Sequence, residues 1–63
     1  MKVISREQLA ALLEHGVVKN TKDGIINQRG NPTGYLRTRH KLYMEDSYVE
    51  TAQKILLEGI NDG

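Results

Sequence analysis

The stretch Gly34-Tyr35-Leu36-Arg37-Thr38-Arg39-His40-Lys41-Leu42-Tyr43 decides how this chain folds, because it reads in two ways. Taken as one strand running on to Met44, it sends alternate side chains to opposite faces. One face then carries Tyr35, Arg37, Arg39, Lys41 and Tyr43, and the other Leu36, Thr38, His40, Leu42 and Met44. Taken as two short strands, it uses Thr38-Arg39-His40-Lys41 as a connecting turn. The alternation favours the single strand, with a bend or bulge at the polar middle of the second face.

Upstream, Arg29-Gly30-Asn31-Pro32-Thr33-Gly34 is a turn, since two Gly, an Asn and the only Pro fit poorly inside a ladder. Residues 17–28 read as a β-hairpin, in which Val17-Val18 and Ile25-Ile26 bracket Asp23-Gly24. Either a two-residue turn or a type I turn followed by a Gly24 bulge would satisfy that pattern.

Before the hairpin, Ser5-Arg6-Glu7-Gln8 has the form of a capping box, and Ile4 with Leu9 can make the accompanying hydrophobic staple. Leu9, Leu12 and Leu13 then form an apolar stripe, and Gly16 offers the left-handed residue that ends a helix. Residues 6–15 are therefore predicted helical, with Val17 folding back onto the stripe. Downstream, Asp46 is expected to cap a second helix over 47–58, burying Val49, Ala52, Ile55 and Leu56 with Tyr48 at the margin. Gly59 should stop that helix as Gly16 stops the first, with Ile60 packing back. The two Gly-ended helices share stop chemistry, and the likeness is too short to argue an internal repeat.

The resulting expectation is an α+β fold: one domain over residues 1–63, in the order α-β-β-β-α, with a three-stranded antiparallel meander packed against two helices. A chain of 63 residues buries only about 60% of its unfolded surface. With no Cys, Trp or Phe, this one has no disulfide staple and must build its core from Leu, Ile, Val, Met and Tyr. Homo-oligomerisation would be one way to enlarge so thin a core. No apolar run approaches the roughly 20 residues of a membrane span, and no signal-peptide pattern follows Met1-Lys2. No membrane association and a cytoplasmic location are therefore expected.

Charge is unevenly spread. The net value is +1, but residues 1–23 sum to +1, residues 24–44 to +4 and residues 45–63 to −4. Interleaved cations and aromatics suit nucleic-acid contact, with Arg37, Arg39 and Lys41 meeting phosphates, Tyr35 stacking on bases, and Arg29 extending the patch. They also suit the wet face of a half-buried strand. Glu45, Asp46 and Glu50 fit the positive end of a helix, the favoured account, while Glu58 and Asp62 lie further on; the alternative is self-pairing or docking of the acidic block onto a basic protein surface. Tyr43 and Tyr48 are the candidates for protein contact, because Tyr is enriched at interfaces.

Catalysis finds no support in the sequence. Ser5 and Asp46 have capping work, and His15 and His40 are isolated. No nucleophile elbow, phosphate loop or His-x-x-x-His spacing occurs, so no catalytic residue, metal site or cofactor is assigned. Ser5-Arg6-Glu7-Gln8-Leu9-Ala10-Ala11-Leu12-Leu13 resembles the first helix of helix-turn-helix regulators, yet a hairpin follows where their second helix would stand. The expected function is a small regulatory or accessory module, of the kind carried by phages and other mobile elements, that binds nucleic acid. The alternative is a protein-binding module or inhibitor, acting through the sheet face or the C-terminal helix, with self-association.

Overall fold

The computed structural model describes residues 1–61, with side chains as far as Glu58. Its elements are β1 (Lys2–Ile4), α1 (Arg6–Glu14), β2 (Val18–Thr21), β3 (Gly24–Asn27), β4 (Leu36–Arg37), β5 (Leu42–Met44) and α2 (Asp46–Asn61). The fold is α+β, as expected. The strands, however, divide into two small antiparallel sheets, β1-β5-β4 and β2-β3, where one meander was anticipated.

The first helix forms as its local signals require. The Gln8 amide donates 3.1 Å to Ser5 Oγ and the Ser5 amide donates 2.9 Å to Gln8 Oε1, so the two residues satisfy each other's backbone groups. At the other end Val17 N donates to the Leu12 carbonyl and Gly16 N to that of Leu13, with Gly16 at φ +71°. This is the Schellman arrangement, and it needs the positive φ that Gly adopts without strain. His15 is its C-cap, so the helix ends one residue earlier than predicted.

Lys22 and Asp23 connect β2 to β3, and neither has positive φ, whereas Gly24 has φ +119°. Of the two turns allowed by the sequence, the register fits the two-residue one: Thr21 pairs with Gly24 and Asn20 with Ile25, so no residue is left over as a bulge, while the lack of positive φ at Lys22 and Asp23 excludes the primed turn types. Thr21 Oγ1 donates 2.8 Å to the Gly24 carbonyl and closes it.

At β4-β5 the single-strand reading fails. Arg37 pairs with Leu42, and Thr38-Arg39-His40-Lys41 is a turn. Thr38 substitutes for the usual turn residues: its amide donates to the Lys41 carbonyl, and its hydroxyl accepts from the Lys41 amide and donates back to the same carbonyl.

Two expectations for the second helix also change. Asp46 is its first helical residue and not its cap; the Glu45 carbonyl accepts from the Tyr48 and Val49 amides. The helix continues through Gly59 to Asn61, which is tolerable because Gly costs only about 1 kcal/mol in a helix interior. The expected packing of Ile60 and the charge of Asp62 lie outside the described side chains.

The strand β1 has no counterpart in the sequence reading, and it sets the layout. It pairs antiparallel with β5, with Lys2 opposite Met44, Val3 opposite Tyr43 and Ile4 opposite Leu42. Each of these strands leads directly into a helix. Equivalent positions are separated by a constant forty residues: Ile4 matches Met44, Ser5 matches Glu45, and Leu12 matches Ala52. The two strand-helix units thus repeat the same strand-to-helix spacing, and their strands pair about Val3 and Tyr43. Both helices lie on the same sheet face and bury Ile4, Leu12, Met44, Val49 and Ala52 together. Val18 and Ile25 of the hairpin complete the core, and Tyr48 and Ile55 flank it.

Candidate nucleic-acid interface

The β4-β5 turn positions the basic residues. Because four residues connect paired Arg37 and Leu42, the alternation of a continuous strand is interrupted, and faces are set by cross-strand partners instead. Arg37 shares a face with Leu42, which packs towards the core, so it lies on the helix-covered side at the open edge of the sheet. Tyr43 shares the opposite face with its partners Leu36 and Val3. The row Tyr35, Arg37, Arg39, Lys41 and Tyr43 therefore does not occupy one face. Arg37, Arg39 and Lys41 remain together around the turn and are exposed, whereas Tyr35 is half-buried against the core.

Between this turn and the β1-α1 junction lies a pocket of about 280 Å³. Its basic lining is Arg6, Arg37, Arg39 and Lys41, with His40, and its polar lining is Ser5 and Thr38. Val3, Ile4 and Leu42 supply the apolar part. No Asp or Glu contributes to the lining. Arg6 gets there because it is the first residue of α1, immediately after the Ser5 cap. Nothing in the sequence alone places it beside Arg37; the only hint is a cation at the helix position where acidic residues are favoured.

Two carboxylates of the acidic block are engaged elsewhere. Asp46 Oδ1 lies 3.2 Å from the amino group of Met1, and Glu50 Oε1 lies 3.5 Å from Lys2 Nζ. These are the ion pairs among the described residues, and both partners of each are substantially exposed. Pairs of this kind contribute about 0–1 kcal/mol. Their importance is in layout: the carboxylates at the start of α2 meet the Met1–Lys2 end of β1, and the four cations gather where β1 hands over to α1. None of Arg6, Arg37, Arg39 or Lys41 pairs with a carboxylate among the described residues.

Arg29 belongs to a different surface. Asn27 organises its turn: Asn27 Oδ1 accepts from the Arg29 amide at 2.9 Å and the Asn31 amide at 3.0 Å, and Asn27 Nδ2 donates 3.2 Å to the Tyr48 hydroxyl. Arg29, Asn27, Gln28, Val17 and Tyr48 border a second hollow of about 340 Å³, which shares no residue with the first. Tyr48 is thus half-buried and hydrogen-bonded. Tyr43 is the centre of an outer-face row, Val3-Tyr43-Leu36, in which Val3 is 51% and Leu36 52% exposed.

Among the described residues no three His, Cys, Asp or Glu side chains converge as metal ligands, and no helix is long and apolar enough to cross a membrane. No family model, curated protein or solved structure matches the chain.

Proposed function

We propose that this protein is a small non-enzymatic regulatory or accessory module, working in the cytoplasm, that binds nucleic acid through Arg37, Arg39 and Lys41. Tyr35 and Arg29, the other candidates from the sequence, do not line the pocket around these three; Arg29 borders a different hollow, and a part for either would need a ligand that extends beyond the pocket. The observation that supports this reading is the convergence of cations around one pocket without a carboxylate in its lining. Such an arrangement leaves the cations available to phosphates, which dominate the affinity of most nucleic-acid binders.

Fluorescence anisotropy with labelled single-stranded and duplex oligonucleotides tests it. Binding should weaken steeply with salt, with a log-log slope of about −0.7 to −0.9 per phosphate contacted. Arg37→Ala, Arg39→Ala and Lys41→Ala should each reduce that slope by about one unit or less. Absence of binding to every DNA and RNA probe at low salt would overturn the proposal.

A second reading is favoured by the outer-face row Val3-Tyr43-Leu36, which leaves apolar surface uncovered on a sheet whose other face is packed. The occupant it fits is a second copy of this chain. Turned about a two-fold axis, each copy could set its basic pole against the other's acidic one. Sedimentation velocity decides the matter: a monomer at all concentrations, unchanged by Tyr43→Lys, removes this reading.

A further inference from the structure

We infer that the pocket between the β4-β5 turn and the start of α1 receives a phosphomonoester, the terminal phosphate of a strand or a nucleotide, and that Arg6 confers preference for it. This rests on the nucleic-acid reading and narrows its ligand. Three observations lead there.

The first is shape. Phosphodiesters inside a strand need a groove through which the chain enters and leaves. Here the cations line a half-open hollow of about 280 Å³, whose apolar lining includes Ile4 and Leu42. That lies at or below the roughly 300–1,000 Å³ of typical small-molecule pockets. It has room for a phosphate and part of the attached nucleotide.

The second is charge. A phosphomonoester carries about −1.5 to −2 at pH 7 and offers three acceptor oxygens, whereas a diester carries a single charge. Four cations and no carboxylate line the hollow, more positive charge than one diester would balance. Guanidinium groups from Arg6, Arg37 and Arg39 also have the planar fork that binds phosphate oxygens in pairs.

The third is Arg6 itself. Ser5 and Gln8 complete their capping box without it, so it has no part in closing the helix. A cation on the first residue is disfavoured by the helix dipole. It lines the pocket together with Arg37 and the turn residues, with no acidic partner among the described residues.

The test uses the full chain and single-stranded oligonucleotides of one sequence ending in a 5′-phosphate, a 3′-phosphate or hydroxyls only, each labelled away from the varied end. A phosphorylated end should bind about tenfold more tightly or better, the gain expected of charge-assisted hydrogen bonds. Arg6→Ala should weaken binding of all three strands, and of the phosphorylated ones more, so that the preference for a phosphorylated end falls below about twofold; circular dichroism would verify that the variant is folded. Competition by a nucleoside monophosphate separates the two sources. Displacement of the phosphorylated strand at similar concentration identifies a free nucleotide, and displacement only at large excess identifies a strand end. Equal affinity for all three strands overturns the inference and leaves the broader reading intact. A phosphate preference that survives in Arg6→Ala removes Arg6 from it. Failure of every strand to bind overturns both.

Discussion

Gly34 and Gly16 both have positive φ, +75° and +71°, yet they face different surroundings. A Cβ at Gly34 would come within 2.7 Å of Glu45 Cγ and 3.3 Å of Glu45 N, whereas one at Gly16 would meet nothing within 4 Å. Alanine at Gly16 therefore costs the left-handed conformation alone, about 1–2 kcal/mol. At Gly34 the same cost is joined by a clash between chains that run side by side, where the Glu45 amide donates to the Thr33 carbonyl. Glu45 Cγ belongs to an exposed, flexible side chain and can move; the backbone nitrogen cannot move without disturbing the start of α2. Urea denaturation should rank Gly34→Ala as the more destabilising variant by about 1 kcal/mol, within the usual range for strained backbone positions. Equal midpoints would mean that this packing is looser than described. In the sequence, Gly34 reads only as a turn residue, because its neighbour in space is eleven positions away.

The elements differ in how far their own residues specify them. Both ends of α1 are legible because every group involved is local: Ser5 and Gln8 at one end, Leu12, Leu13, Gly16 and Val17 at the other. Ser5→Ala should accordingly cost about 0.5–2 kcal/mol, the usual loss for an N-cap. Thermal unfolding should register that change; an unchanged melting temperature would deny the capping box its role. The short strands are another matter. Lys2–Ile4 and Leu36–Arg37 are too brief for alternation to declare itself, and they exist because β5 lies between them. Thr38-Arg39-His40-Lys41, the turn of the two-strand reading, loses to the alternation in the sequence because it has no Gly, Pro, Asn or Asp; a threonine hydroxyl does their work. That one misreading moved Tyr43 to the face with Arg37. The cations themselves were legible, and their company with Arg6 was not, since it depends on β1 pairing with β5. The common spacing of the strand-helix units is equally hidden, because matched positions hold unlike residues such as Ser5 and Glu45.

Across the molecule, part of each charged block seen along the sequence is gathered in space: Arg37, Arg39 and Lys41 line one pocket with Arg6, Arg29 lies elsewhere, and Asp46 and Glu50 lie at the Met1–Lys2 end of β1. The carboxylates of Asp46 and Glu50 answer Met1 and Lys2, and the cations of the pocket are left to external anions. How strongly the acidic region opposes an incoming phosphate depends on screening. The domain measures 35 × 27 × 17 Å. The Debye length is about 30 Å at 0.01 M salt and about 8 Å at 0.15 M. At low salt the carboxylates act across the whole domain, and at physiological salt their reach is confined to their own neighbourhood. Glu50→Gln should therefore tighten nucleic-acid binding at 0.01 M salt, by a few-fold at most given the modest size of exposed charge interactions, and have little effect at 0.15 M. Loss of the exposed pair with Lys2 should change stability by less than about 1 kcal/mol. Arg37→Ala differs in kind, because it removes a direct contact and should weaken binding at both salt concentrations. If Glu50→Gln weakened binding instead, or acted equally at both, the acidic region would have to touch the ligand, and the separation of the two regions would not describe how the protein meets nucleic acid.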